Sequence, residues 1–195
     1  EVAVVAIRCL NEAHGERWVA FNADCVDLVR QLPDASVGFS VYSPPFANIF
    51  VYSDSIADMG NCASDEEFAR HYRFLIAEKL RVTKPGRLTA VHCSDLPSSK
   101  WKDGVIGLKD FRGDIIRAYQ AAGFIFHSEV TIWKNPVTAM QRTKALGLLH
   151  KQIRKDSSMS RQGIADFLVV RRTPGENPEP VSHTPETFPV ERWQR

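Results

Sequence analysis

The sequence predicts an α/β protein with a mostly parallel sheet and an antiparallel hairpin at one edge. Short apolar strands alternate with amphipathic helices along the chain, which is the pattern of strand–helix–strand units. The last two strands have no clear helix between them, so we expect them to pair antiparallel. At 195 residues, 44% of them hydrophobic, the chain is long enough for one domain with a real core.

The first part of the chain is predicted to contain two strands and one short helix. Residues 18–23 form a strand in this prediction, after which Asp24 caps a helix. The apolar residues of that helix recur at helical spacing: Cys25, Leu28, Val29 and Leu32. A second strand, Val37–Tyr42, is expected at the centre of the sheet. It stops at Pro44 and Pro45, which have no N–H to donate to a strand ladder.

The next part is predicted to begin with a long helix, because Ser64 and Glu67 form a capping box. The apolar face of that helix comprises Phe68, Tyr72, Leu75, Ile76 and Leu80. A turn at residues 84–86 leads to a third strand at 87–93, and a helix at 114–122 ends at Gly123. The last two strands are predicted at residues 124–133, which alternate in polarity, and 166–171.

Composition and charge narrow the class of protein. The apolar runs are too short to span a membrane, and the first residues lack the features of a signal peptide. The four cysteines lack C-x-x-C spacing, so we expect reduced thiols, no metal site and a cytoplasmic protein. The net charge of +2 does not demand a polyanionic partner, but the charges can still be unevenly placed.

Ser43, Pro44, Pro45 and Phe46 are the candidate catalytic residues. They directly follow a predicted strand, and ligands of open α/β sheets bind at the carboxyl ends of strands. The prolines hold carbonyl acceptors on a stiff backbone, Ser43 adds a hydroxyl, and Phe46 adds a flat apolar face. Such a site suits an exocyclic amine on a flat heterocycle. Hydrogen bonds to Ser43 and to the Pro44 carbonyl would free the nitrogen lone pair to attack an electrophilic methyl group.

These four residues resemble the catalytic motif of DNA amino-methyltransferases that use S-adenosylmethionine, in which Asp, Asn or Ser precedes Pro-Pro and an aromatic residue. Three further segments resemble the β class of that family in the same order: residues 22–37, 81–87 and 132–136. The resemblance covers residues 18–171, which is most of the chain. It implies the Rossmann-like fold of class I methyltransferases and S-adenosylmethionine as the cofactor.

The sequence departs from the family in one respect. The family binds its cofactor with a glycine-rich turn after a strand, and this sequence contains no such turn. In the β class that part follows the catalytic part. We therefore expect residues 1–171, including a basic loop at 134–161, to be a partial catalytic domain. The proline-rich residues 172–195 are then a connector towards a missing cofactor-binding part.

The candidate cofactor contacts are Asp24, His92 and Asp95. Asp24 is equally well explained as a helix cap. His92 and Asp95 lie at another strand end, where such residues are more often structural, although the resemblance implies a place near the pocket. For Trp133, packing in the core is slightly favoured over stacking on a base.

A basic segment supports double-stranded DNA as the partner. Between residues 134 and 161, seven positive side chains and one acid give a local charge of +6, against +2 for the whole chain. A solvated loop or helix face explains the same segment about equally well. The candidate DNA-binding residues are Trp133, Lys134, Arg142, Lys144, Lys151, Arg154, Lys155 and Arg161.

The function that the resemblance implies is methylation of the exocyclic amine of cytosine (N4) or adenine (N6) in DNA, as in restriction–modification systems. The base would be flipped out of the duplex to reach the motif. Serine at position 43 favours cytosine, because serine is commonest there in the cytosine-N4 enzymes of the family. Two alternatives stay open: an amino-methyltransferase of RNA or protein, and a non-catalytic DNA-binding module, which the missing glycine-rich turn supports.

Overall fold

The computed structural model describes residues 8–47, 49–98, 100–105, 107–135, 165–180, 182–184 and 186–187. The strands are β1 (Asn11–His14), β2 (Val19–Asn22), β3 (Val37–Tyr42), β4 (Thr83–Ser94), β5 (Leu96–Ser98), β6 (Gly107–Lys109), β7 (Ile125–Ile132) and β8 (Asp166–Arg172). The α-helices are α1 (Cys25–Arg30), α2 (Asp65–Val82), α3 (Lys100–Asp103) and α4 (Phe111–Ala121), and a 3₁₀ turn spans Met59–Asn61.

Four of these strands form the main sheet, in the order β3-β4-β8-β7. Strands β3 and β4 run parallel, whereas β8 is antiparallel to both β4 and β7. The other strands form two small antiparallel pairs, β1 with β2 and β5 with β6. The α/β class and the antiparallel hairpin of β7 and β8 at one edge are thereby confirmed.

Strand β3 lies at the other edge of the main sheet, not in its centre as the sequence suggested. Among the described residues, β4 is its only neighbour in that sheet. Two of the three strand pairings are antiparallel, so the described sheet is mixed. The reason is that β8 inserts between β4 and β7, and its direction makes both of its pairings antiparallel.

The helix ends largely follow the capping signals in the sequence. Ser64 Oγ accepts a hydrogen bond from the N–H of Glu67 (3.2 Å), and the Glu67 carboxylate accepts one from the N–H of Ala63 (2.7 Å). Beyond α4, Gly123 has a φ of +106°, which glycine adopts without a steric penalty. Helix α4 begins earlier than expected, because Asp110 caps it through the N–H of Gly113 (2.9 Å).

The core lies on one face of the main sheet, beneath α2 and α4. Its buried members from these helices and from the sheet include Phe68, Tyr72, Leu75, Ile76, Val91, Cys93, Ile115, Tyr119 and Val169. On the opposite face, Phe39 and Val41 of β3 are 58% and 61% exposed, and Val130 of β7 is 54% exposed. Because side chains alternate along a strand, this exposure identifies a face that no described helix covers.

The described part of the proline-rich segment contacts the beginning of β4. The N–H of Gly86 donates to the carbonyl of Thr173 (3.1 Å), and the Arg87 guanidinium donates to the carbonyl of Glu179 (2.7 Å). These bonds hold residues 173–179 against the sheet. Within the described residues, no helix has the length and apolar character needed to cross a membrane.

Candidate active site

Ser43 is the first residue after β3, and its side chain is exposed at the carboxyl end of that strand. Its Oγ lies 3.2 Å from the carbonyl oxygen of His92 and 3.4 Å from that of Pro44. The Pro45 carbonyl accepts a hydrogen bond from the N–H of Ala47 (3.0 Å), so it is partly used within the turn. The acceptors that the motif retains are the Ser43 oxygen and the Pro44 carbonyl.

Ala47, directly after the motif, holds an uncommon backbone conformation. Its φ is +49°, in the left-handed region that non-glycine residues adopt at a steric cost, and its side chain is buried in the core. Strained backbone of this kind persists where surrounding packing enforces it, and it clusters at functional sites. The core therefore fixes the path by which the chain leaves the motif.

A large groove opens beside the motif. Its volume is about 1200 Å³, and its lining includes Asp24, Ser43, Pro44 and Pro45. Three of the four motif residues and one candidate cofactor contact, Asp24, therefore face the same space. His92 and Asp95 are not part of that lining.

Asp24 has the role of a helix cap. Its Oδ1 accepts hydrogen bonds from the N–H groups of Val26 and Asp27, both at 2.9 Å. Both bonds go to one oxygen, and the residue also lines the groove. The capping interpretation is confirmed, and a cofactor contact through the second oxygen stays a prediction.

The Phe46 ring packs between two other rings. Its centroid lies 6.0 Å from that of His92 and 6.0 Å from that of Phe111, with tilted planes. Phe46 is half-buried against the core and does not line the groove. A base that stacks on Phe46 would therefore lie beside the groove, not within it.

His92 connects the motif to the neighbouring strands. Its Nδ1 lies 3.3 Å from Ser43 Oγ, and its Nε2 lies 3.2 Å from the Oδ2 of Asp166. The Nζ of Lys134 lies 2.5 Å from the other oxygen of Asp166. Lys134, a candidate phosphate ligand, thus forms an ion pair at this edge of the sheet.

Asp95 has a structural contact. Its Oδ1 accepts a hydrogen bond from the N–H of Arg112 in the first turn of α4 (3.2 Å). This position fits a carboxylate that stabilises a helix N-terminus, where unpaired N–H groups point outwards. No described contact joins Asp95 to the groove.

Trp133 lies just beyond β7 and is 71% exposed. The slightly favoured interpretation, packing in the core, is therefore wrong. Among the described strands, β7 pairs only with β8, so Trp133 follows a strand at the edge of the described sheet. An exposed indole leaves its face accessible to a base, and stacking of Trp133 on a base stays a prediction. Six other candidate DNA-binding residues lie outside the described residues: Arg142, Lys144, Lys151, Arg154, Lys155 and Arg161.

A cluster of tyrosines beneath the motif carries no sequence signal of its own. The Tyr42 hydroxyl lies 2.6 Å from that of Tyr72 and is also hydrogen-bonded to that of Tyr119. Burial raises the pKa of all three hydroxyls, that of Tyr119 to about 12. They therefore act as neutral hydrogen-bonding groups that join β3 to α2 and α4. The apolar spacing in α2 identified Tyr72 only as a core residue.

Comparison with solved structures identifies the fold. A protein of Thermus thermophilus, provisionally assigned as a DNA modification methylase, superposes with a TM-score of 0.59 and 18% identity, over 89% of this chain and 62% of that one. A crystal of the same protein with S-adenosyl-L-methionine gives a TM-score of 0.60. The PvuII DNA methyltransferase, which is cytosine-N4-specific, gives 0.54 at 16% identity, over 80% of this chain and 50% of that one.

This chain therefore has the fold of class I methyltransferases. It spans about half to three-fifths of the length of the structures it matches. No family model matches the chain, and no curated protein matches its sequence.

Proposed function

We propose that this chain is the catalytic part of a methyltransferase that transfers a methyl group from S-adenosylmethionine to an exocyclic amine of a DNA base. The observation that carries the proposal is the motif from Ser43 to Phe46 at the carboxyl end of β3, beside a large groove. The matched structures, described as a DNA modification methylase and a cytosine-N4-specific DNA methyltransferase, support DNA as the substrate.

The size and the charged lining of the groove support the cofactor as its ligand. Its volume exceeds that of an ordinary small-molecule site. Three carboxylates line it, from Asp24, Asp27 and Asp58, against the guanidinium groups of Arg8 and Arg30. When bound, S-adenosylmethionine supplies an electrophilic methyl group on a cationic sulfur. The excess of one carboxylate over the guanidinium groups would favour that positive charge, and Asp24 has one carboxylate oxygen not used in capping.

Ser43 and Pro44 would act on the amine. Their oxygens would accept its hydrogens, which keeps the nitrogen lone pair out of conjugation with the ring and directs it at the methyl group. Phe46 would orient the flat ring beside the groove. The reaction needs no strong base, because the nitrogen loses its proton after it has become cationic.

Cytosine is the favoured base, with adenine the alternative. Ser43 presents a neutral hydroxyl where the family's adenine enzymes more often carry aspartate. The cytosine-N4 specificity stated for the PvuII enzyme supports this choice. Either base would have to leave the duplex to reach Ser43 and Phe46.

Mass spectrometry of nucleosides tests the proposal directly. DNA is incubated with S-adenosylmethionine and with the full-length protein that contains this chain, and the methylated nucleosides are identified. Ser43→Ala should lower turnover more than DNA affinity, because its hydrogen bond matters most as the nitrogen changes shape. The matched control is Ser128→Ala, at an exposed serine of β7. Finding only N6-methyladenine would contradict the choice of cytosine.

Calorimetry separates the catalytic from the non-catalytic interpretation. S-adenosylmethionine is titrated into this chain and into the full-length protein. Binding by the full-length protein supports an enzyme. Absence of binding, together with DNA affinity and no methylated base, would support a DNA-binding module derived from such an enzyme.

The salt dependence of DNA binding tests the basic segment. Reversing the charges of Lys151, Arg154 and Lys155 should flatten the slope of log affinity against log salt, by about 0.9 for each phosphate that the variant no longer neutralises. Arg117→Glu, at an exposed position of α4, serves as the control. An unchanged slope in the triple variant would show that the segment is only a solvated surface.

A further inference from the structure

A chain of polar contacts extends from the motif into the sheet. Ser43 Oγ lies 3.3 Å from His92 Nδ1, and His92 Nε2 lies 3.2 Å from Asp166 Oδ2. Three strands bring these residues together: Ser43 follows β3, His92 belongs to β4, and Asp166 begins β8. The register that pairs Ser94 with Asp166 places that carboxylate at the same end of the sheet as Ser43.

The chemistry of the three groups determines where the hydrogens lie along this series of contacts. The ionised carboxylate of Asp166 can only accept, so Nε2 of a neutral His92 carries the ring hydrogen and donates it. Nδ1 then has a lone pair and can accept the hydroxyl hydrogen of Ser43, which has a second acceptor at a similar distance in the carbonyl oxygen of His92 (3.2 Å). The Ser43 oxygen is left with its own lone pairs for an incoming N–H. The ammonium of Lys134 lies 2.5 Å from Oδ1, the other oxygen of the same carboxylate.

We propose that His92, held by Asp166, positions the Ser43 hydroxyl and receives through it the proton that the methylated amine loses. This inference rests on the proposed function, and it assigns His92 to the proton path instead of the cofactor site. The nitrogen forms its bond to the methyl carbon as the carbon–sulfur bond breaks and its electron pair goes to sulfur. The cationic nitrogen gives one proton to Ser43 Oγ, the Ser43 proton passes to Nδ1, and Asp166 balances the charge of the imidazolium.

Two further contacts suit His92 to this role. Its side chain is about one-third exposed, so a proton can leave the ring for solvent before the next cycle. Its ring also lies 6.0 Å from the ring of Phe46, so one imidazole contacts both ends of the motif. His92 forms its ion-pair contact with Asp166, whose other oxygen contacts Lys134.

Nuclear magnetic resonance of ¹⁵N-labelled histidine tests the contacts without any cofactor. Ser43→Ala should shift the Nδ1 resonance of His92, and Asp166→Asn should shift its Nε2 resonance. Ser128→Ala should leave both resonances unchanged and alter only those of His127, whose Nδ1 lies 2.9 Å from Ser128 Oγ. If neither the Ser43 nor the Asp166 variant moves a His92 resonance, the series of contacts is absent and the inference is overturned.

Kinetics separates positioning from proton acceptance. His92→Asn keeps an acceptor near the place of Nδ1 but cannot take up a proton, whereas His92→Phe removes both functions. Each should lower kcat about 10- to 100-fold with little change in DNA affinity, and Phe should lower it more. In a protein that already carries Ser43→Ala, either change at His92 should lower kcat almost no further, because His92 acts through Ser43. His127→Asn, an exposed histidine of β7, is the matched control.

The outcomes distinguish this inference from the proposed function. An active wild type whose His92 variants retain full kcat overturns only the role of His92. Equal activity of His92→Asn and wild type, with reduced activity in His92→Phe, overturns proton acceptance and leaves positioning. If the reductions in kcat caused by the His92 changes and by Ser43→Ala are additive in free energy in the double variants, His92 does not act through Ser43. An inactive wild type overturns the methyltransferase proposal, and this inference with it.

Discussion

Lys79 of α2 is a buried cation whose described partners are all neutral. It is 8% exposed, its Nζ donates to Ser40 Oγ (2.7 Å), and the Nζ lies 4.4 Å from the centre of the Tyr42 ring. Burial lowers its pKa from 10.5 to about 8. At neutral pH the folded protein therefore keeps a charge in a place that disfavours it.

Lys79→Met should stabilise the protein at pH 7. Because the folded pKa lies below the unfolded one, the unfolded chain binds more protons between pH 8 and 10.5, and the contribution of Lys79 to stability rises with pH there. The free energy of unfolding of the Met variant should exceed that of the wild type by on the order of 2–3 kcal/mol at pH 7. This difference should shrink as the pH rises from 8 to 10.5. Chemical denaturation at several pH values measures it, with Lys84→Met as control. A constant difference between pH 7 and 10.5 would contradict the explanation.

Residues with local signals were predictable, and residues whose partners come from distant strands were not. Ser64, Asp24 and Gly123 act within three residues of themselves, and their capping roles are as the sequence indicates. Arg171 is fully buried beneath the rings of Tyr119 and Phe126, a place that no local pattern reveals. The contact of His92 with Asp166 likewise depends on the register of β4 with β8.

At the scale of elements, the loop between β3 and α2 is organised around one carboxylate. Asp58 accepts hydrogen bonds from the N–H groups of Tyr52 (3.0 Å), Ser53 (2.7 Å) and Gly60 (2.8 Å). Partial burial acts to raise the pKa of Asp58, but these hydrogen bonds outweigh it and the pKa is lowered. Asp58 therefore fixes a loop that lines the groove.

Asp58→Asn should destabilise the protein most near neutral pH. A carboxylate with a lowered folded pKa contributes stability above its unfolded value of 3.8, and the contribution is lost as the pH falls through the folded pKa. The difference in free energy of unfolding between the wild type and the variant should therefore decrease as the pH falls below about 4. Thermal unfolding from pH 7 to 3 measures it, and Asp54→Asn in the same loop is the control. A larger difference at pH 3 than at pH 7 would show that the hydrogen bonds are not to the ionised form.

The elements themselves were easier to predict than their order in the sheet. Val37–Tyr42 has the predicted bounds, because its apolar run ends abruptly at two prolines. Its place at an edge depends on which strands lie beside it, and that is a property of the whole sheet. The exposure of Trp133 depends on the sheet in the same way, since no described layer covers the end of β7.

At the scale of the whole molecule, one face and one edge of the main sheet are open among the described residues. Phe39 and Val41 expose 58% and 61% of their surface on β3, and the backbone of that strand pairs only with β4. The matched structures are longer than this chain, which covers 50–62% of them. An open edge beside an apolar face promotes association between copies when nothing covers it.

This chain alone should therefore bind hydrophobic dyes and self-associate. Replacing Phe39 and Val41 by threonine should reduce dye fluorescence and the apparent mass in light scattering, because the threonine hydroxyls are hydrated and the strand propensity is kept. The double replacement should change the unfolding temperature only slightly, since both side chains are mostly exposed already. Phe74→Thr is the matched control, because Phe74 is also 58% exposed but lies on α2, on the helix layer of the protein. An equal reduction in that control would attribute the association to exposed apolar area in general, and no reduction in the β3 variant would show that the open face of the sheet does not drive it.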